Sequence, residues 1–143
     1  MADTVLVVDD ESIIRDLLNV FLPTKGFKVI LAANGEEALE IAKKIVPKVI
    51  LLDIKMPGID GLETCRRLRA EEETRYTPII LVSGFGAEKL EADDAGADDL
   101  ISKPFDMENL ASRLKSAIRI GHLTDTAARL MTYMDELEKN RQE

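Results

Sequence analysis

Residues 49–61 read VILLDIKMPGIDG. The first four are Val, Ile and Leu without a polar interruption. So short a run, opened by Pro47-Lys48 and closed by an aspartate and a Pro-Gly loop, fits a strand covered on both faces. The strand is expected over Lys48–Leu52, and Lys55–Gly61 is the loop after it, punctuated by Pro57, Gly58 and Gly61. Thr4–Val8 and Pro78–Val82 are runs of the same kind. Phe27–Ala32 is a further strand, and a short one includes Leu100–Ser102. Between them lie segments with helical spacing. Glu11–Leu22 places Ile13, Ile14, Leu17, Leu18 and Phe21 on an apolar face, and Glu36–Ile45 and Leu62–Glu72 repeat the pattern. An acidic helix is expected near Ala87–Asp94, and Asp106 caps a last one running to about Arg119. Five β-α units in this order predict an α/β fold, a doubly wound five-stranded parallel sheet of flavodoxin-like order 2-1-3-4-5. The first βα turn is Asp9-Asp10-Glu11, so no glycine-rich cradle for a dinucleotide is present there.

The chain has 143 residues, the size of one ordinary domain. It carries 19 Lys and Arg against 27 Asp and Glu, a formal charge of −8. That balance speaks against nucleic acid and against an anionic membrane surface as partners, since both need clustered positive charge. The single cysteine, Cys65, is expected in a helix-face core and forms no intramolecular disulfide. The N-terminus shows no signal peptide or long apolar run, and a cytoplasmic protein is the expectation.

In an open α/β sheet the ligand site lies beyond the carboxyl ends of the strands. Asp9 and Asp10 follow the first strand, Asp53 the third and Lys103 the fifth, while Ser83 ends the fourth. The topology therefore gathers three carboxylates, one ammonium and one hydroxyl. Oxygen donors without His or Cys favour a hard cation, and Mg²⁺ is the usual one beside a phosphoryl group. With that ion the three carboxylates and the lysine are neutral together. An aspartate in such a setting is a competent phosphoryl acceptor, and Asp53 is the expected one.

The runs VLVVDDE, VILLDIKMPGIDG, PIILVSG and GADDLISKPF resemble the receiver domain of two-component response regulators, of the chemotaxis-regulator type, over roughly residues 3–119. The resemblance implies a phosphoprotein in a phosphorelay. Asp53 would be the phospho-acceptor, and Asp10, Asp53 and the Lys55 backbone carbonyl would bind Mg²⁺. Asp9 would hold the metal through water, and Ser83 and Lys103 would contact the phosphoryl oxygens. It also implies a cis Lys103–Pro104 bond and, as phosphoryl source, a histidine kinase or phosphotransfer protein. At most the chain would catalyse its own phosphotransfer and dephosphorylation, so it is not expected to be an enzyme. Leu100 departs from the family, which usually has Tyr or Phe there, and Phe85 stands where it could obstruct a hydrolytic water. Two rival readings remain: a pseudo-receiver that binds partners without phosphorylation, and an aspartyl-phosphate phosphohydrolase. The latter places its nucleophile on the first strand in a DxD motif, where this chain has DD.

Residues 1–119 are thus the expected receiver and 120–143 a helical extension. Ile120, Leu123, Ala127, Leu130, Met134 and Leu137 are spaced as heptad a and d positions. The helix either folds back on the receiver, or pairs as a homodimeric coiled coil, or leads to an output domain absent from this chain. The spacing marginally favours pairing. Output is expected through contact with a downstream protein target. Asp98-Asp99 read as solvated turn residues and His122 as a lone surface or packing histidine.

Overall fold

The computed structural model describes residues 2–84 and 89–142. Five strands form one parallel sheet in the order β2-β1-β3-β4-β5: β1 Asp3–Val8, β2 Phe27–Ala32, β3 Val49–Asp53, β4 Ile79–Ser83 and β5 Asp99–Ser102. The expected order is the observed one. The register aligns Val8 with Leu52, Asp53 with Val82 and Ser83 with Ser102, so the carboxyl ends of the central strands reach one level.

The two faces of the sheet have separate cores. Helices α1 (Ser12–Phe21) and α5 (Met107–Arg119) cover one face, over Val5, Val7, Val49, Leu51, Ile80 and Val82. Helices α2 (Gly35–Ile45), α3 (Gly61–Ala70) and α4 (Lys89–Ala95) cover the other, over Leu6, Val8, Ile50, Leu52, Ile79 and Leu81. Strand residues alternate between the two cores, and all of β3 and β4 is buried. This is why those strands read as unbroken apolar runs.

Local signals set the helix ends. Asn34 and Asp60 each accept a backbone N–H bond three residues on, at 2.8 Å, and Asp106 caps α5 at 3.1 Å to Glu108 N. The third helix stops at Ala70 rather than Glu72, because Glu71 turns extended, with ψ 138°. Helix α1 differs more. Of the apolar residues expected inside, only Leu18 is fully buried, and Ile13 and Leu17 lie exposed beside Val20. Cys65 is fully buried and donates to the Ala95 carbonyl, and burial pushes its thiol up to about 11.

The chain beyond α5 departs from one continuous heptad helix. Residues 120–125 form a turn, and α6 (Thr126–Gln142) starts after it. The fold-back alternative describes this chain. Ile120 is fully buried in the core of the α1–α5 face, and Tyr133 enters that core with Leu123 and Leu137 packed beside it. The inward face of α6 holds Arg129, Tyr133 and Asn140, whose amide reaches Ser116 Oγ at 3.1 Å. Of the expected seam, Leu130 and Met134 face solvent. No helix among the described residues is long and apolar enough to cross a membrane.

Candidate functional site: a carboxylate cleft at the strand ends

Strand β1 ends at Val8, and the next two residues carry carboxylates over the gap between β1 and β3. Asp9 is buried and Asp10 exposed. Asp53, the last residue of β3, is buried beside them. Oxygens of Asp9, Asp10 and Asp53 all lie within 4.8 Å of one another. The sequence expectation for these three holds as geometry.

The backbone around Asp53 is tightly fixed. Ile54 N donates to Val82 O at 3.0 Å, and Gly61 N donates to Ile54 O at 2.7 Å. Gly61 starts α3 directly against the strand end. A Cβ there would stand 2.2 Å from the Asp53 carbonyl oxygen, so only glycine lets the helix approach this closely. The Pro-Gly loop that closed the strand in the sequence thus also fixes where Asp53 sits.

Lys103 arrives from the end of β5, tied to β4 by its own N–H, which donates to Ser83 O at 2.8 Å. The Lys103–Pro104 bond is cis, as expected. The ammonium lies 3.1 Å from Asp9, 3.2 Å from Asp53 and 3.3 Å from Glu11. Glu11 is a participant that sequence reasoning did not single out. It stands in the quoted VLVVDDE run, yet nothing local marks it as a partner of a lysine 92 residues away. Its backbone N–H also donates to Asp9 Oδ1 at 2.9 Å, which orients that carboxylate. Arg15, also unassigned in the sequence, donates to the Asp9 carbonyl at 2.6 Å.

Ser83 is fully buried at the end of β4, and Lys55 is exposed in the loop after β3. Phe85 lies outside the described residues. Leu100 packs into the core on the α4 side of the sheet.

The electrostatics follow from burial and crowding. Burial pushes the Asp53 carboxyl up from 3.8 to about 6; the nearby Asp9 adds to the rise, and Lys103 holds it in check. For Lys103 burial works against the charge. The hydrogen bond to Asp9 and the field of Asp53 outweigh it, and the ammonium is held above its ordinary value. Among the described residues the Lys103 ammonium pairs with three carboxylates, of Asp9, Glu11 and Asp53, and Asp10 stands beside them. The neutral sum reached from the sequence omitted Glu11. The cleft gathers acids, and its clustered side chains offer carboxylate oxygens to a cation.

Residues 5–115 match the family described as the response regulator receiver domain. The chain belongs to that family. Among curated relatives, the DNA-binding dual master transcriptional regulator RpaA of Synechocystis is 34% identical over 117 residues, 80% of this chain and 48% of its own length. The receiver thus spans about half the length of the curated relatives it matches. Among solved structures, a putative response regulator from Chloroflexus aurantiacus is 35% identical with a TM-score of 0.79, covering 83% of this chain and 99% of that one. The receiver domain of the sensor histidine kinase PA1611 from Pseudomonas aeruginosa, with magnesium coordinated in its active site cleft, is 28% identical. Its TM-score is 0.77, at 83% and 99% coverage.

Proposed function

We propose that this receiver accepts a phosphoryl group on Asp53 from a histidine kinase or phosphotransfer protein. The observation that carries the reading is one arrangement: a buried carboxylate at a strand end, with two further carboxylates within 4.8 Å and Lys103 at 3.2 Å. In the transfer an Asp53 oxygen forms a bond to phosphorus, the phosphorus–nitrogen bond of the donor imidazole breaks, and the imidazole leaves with the electron pair. Such transfers need chiefly positioning and charge neutralisation. Lys103 stands ready to hold the added negative charge, with the Ser83 hydroxyl as a further donor.

The residues present suit Mg²⁺, because three carboxylates offer oxygen donors within 4.8 Å of one another. Asp10, Asp53 and the Lys55 carbonyl would hold it, with Asp9 acting through water; the magnesium in the cleft of the PA1611 receiver supports the choice of ion. When bound, the ion supplies neutralisation of the phosphoryl oxygens. The chain's own residues supply orientation. Gly61 fixes the Asp53 backbone, Glu11 N–H aims Asp9, and Lys103 bridges β1 to β3.

Phosphorylation then switches contact with a downstream protein target or with an output domain beyond these residues, in the cytoplasm. Catalysis goes no further than self-phosphorylation and dephosphorylation in this reading. Neither nucleic acid nor a membrane is a partner we assign to these acidic residues, and we keep 1–119 as the receiver and 120–143 as its extension. For a homodimer through 120–143, the described residues leave Ala127, Leu130 and Met134 of the seam exposed, with Met131 beside them. Leu100, with no hydroxyl, favours the pseudo-receiver as the second reading. Retention of Asp9, Asp10, Asp53, Ser83 and Lys103 speaks for phosphorylation. The test is incubation with acetyl phosphate and Mg²⁺. Mass spectrometry should show one phosphoryl group on Asp53; an unmodified chain would favour the pseudo-receiver, and multiple turnover of phosphate esters a phosphohydrolase.

A further inference from the structure

Helix α6 begins beyond the matched family region, and its attachment is unusually polar. Arg129, buried, donates to both Asp98 oxygens at 3.0 Å and to the carbonyls of Tyr76, Ile120 and Leu123 at 3.0, 3.3 and 2.7 Å. Arg69 of α3 binds the same carboxylate at 2.9 Å, and Asp98 also accepts from Ile79 N at 2.9 Å. One residue on, Asp99 takes the Tyr133 hydroxyl and, at 2.6 Å, Arg113 of α5. The Asp98-Asp99 pair is therefore not solvated, as the sequence suggested, but is the seat of two buried latches for α6. By contrast, α6 brings one fully buried ring, Tyr133, into the core, while Leu130, Met131 and Met134 stay exposed. A segment with little apolar burial belongs to the easily opened parts of a fold.

Both latches sit at the start of β5, and Lys103 sits just past its other end. Between them the strand is pinned to β4 from Ile80↔Asp99 to Ser83↔Ser102. Strand β5 is thus a short stiff link from the carboxylate cleft to α6. It is also an edge strand, with α6 beside its first residues.

We propose that α6 is a releasable strap, linked through β5 to the charge on Asp53. This rests on the phospho-acceptor reading above. A phosphoryl group on Asp53 re-seats Lys103, which already lies 3.2 Å from the carboxylate, and with it shifts β5, an edge strand held by the sheet on one side alone. Asp98 and Asp99 then move off Arg129 and Tyr133, whose own helix does not follow, and the strap loosens. Linkage is reciprocal, so loosening α6 must tighten binding at Asp53 by the same factor.

Beryllofluoride with Mg²⁺ is the probe, applied to the full chain, to Arg129→Ala and to Tyr133→Phe, which removes only the hydroxyl on Asp99. In the wild type, beryllofluoride should speed amide hydrogen exchange across 126–140 by about fivefold or more. Arg129→Ala should bind beryllofluoride more tightly by a similar factor, and Tyr133→Phe should shift it the same way by less. Binding at Asp53 with α6 exchange unchanged or slowed overturns the strap. So does equal or weaker affinity in Tyr133→Phe, should Arg129→Ala fail to fold. No binding to the wild type overturns the phospho-acceptor reading itself, and the strap with it.

Discussion

Two acidic clusters lie at opposite ends of the same strand, and they are built on opposite principles. At the carboxyl end, Asp9, Asp53 and Glu11 pair with the ammonium of Lys103, and Asp10 stands beside them. At the amino end, Asp98 and Asp99 face three guanidinium groups, of Arg69, Arg129 and Arg113, with the Tyr133 hydroxyl besides. The first cluster crowds two further carboxylates against a buried carboxyl pushed up to about 6. The second has its carboxylates fully matched. A run of acids therefore says little alone; the balance of its partners separates a crowded carboxylate cleft from a structural joint.

The sharpest way to break the comparison is to delete one acid from each end. Asp98→Ala leaves the half-buried Arg69 and the buried Arg129 without their anion and Ile79 N–H without its acceptor. It should cost about 3–5 kcal/mol in urea unfolding. A loss under about 1 kcal/mol would show the second cluster to be no joint. Magnesium is expected to act on the first cluster alone. At a hundredfold excess over its dissociation constant it should stabilise the folded chain by about 2.7 kcal/mol, read as a rise in Tm. Asp10→Ala should lose most of that rise, and an equal rise in the variant would remove Asp10 from the ligand set.

The smallest effect concerns Asp53 in metal-free buffer. Folding raises its pKa, so between about 6 and 3.8 the folded chain holds a proton that the unfolded chain has released. The contribution of Asp53 to stability therefore improves as the pH falls through about 6 and levels off below 3.8. Asp53→Asn should remove this dependence and be more stable than the wild type at pH 7. Matching pH profiles of the two proteins would contradict the crowding of charge in the cleft.

The sheet and the cleft were legible because their signals are local. Unbroken apolar runs mark strands buried on both faces, and the residue just past each run falls by topology at the common edge. Hence Asp9, Asp10, Asp53, Ser83 and Lys103 could be named from the sequence. The illegible parts depend on partners distant in the chain. Glu11 meets Lys103 only because β1 and β5 end at one level. Asp98 and Asp99 looked like an ordinary turn, since Arg129 and Tyr133 reach them from residues 31 and 34 positions later. The heptad spacing from Ile120 to Leu137 cannot register a chain reversal. The turn at 120–125 rotates the helix, so that Arg129 and Tyr133 point inward and Leu130 and Met134 outward. Spacing also overstated α1, whose Ile13 and Leu17 have the right period but lie on its outer side.

The most direct test of the central claim is binding of beryllofluoride with Mg²⁺, followed by NMR shifts of amides at the strand ends. The wild type should bind, with the largest shifts around Asp53 and Lys103, and Asp53→Ala should not bind at all. A wild type that fails to bind, or an Asp53→Ala variant that binds equally well, would contradict the assignment of Asp53 as the phosphoryl acceptor.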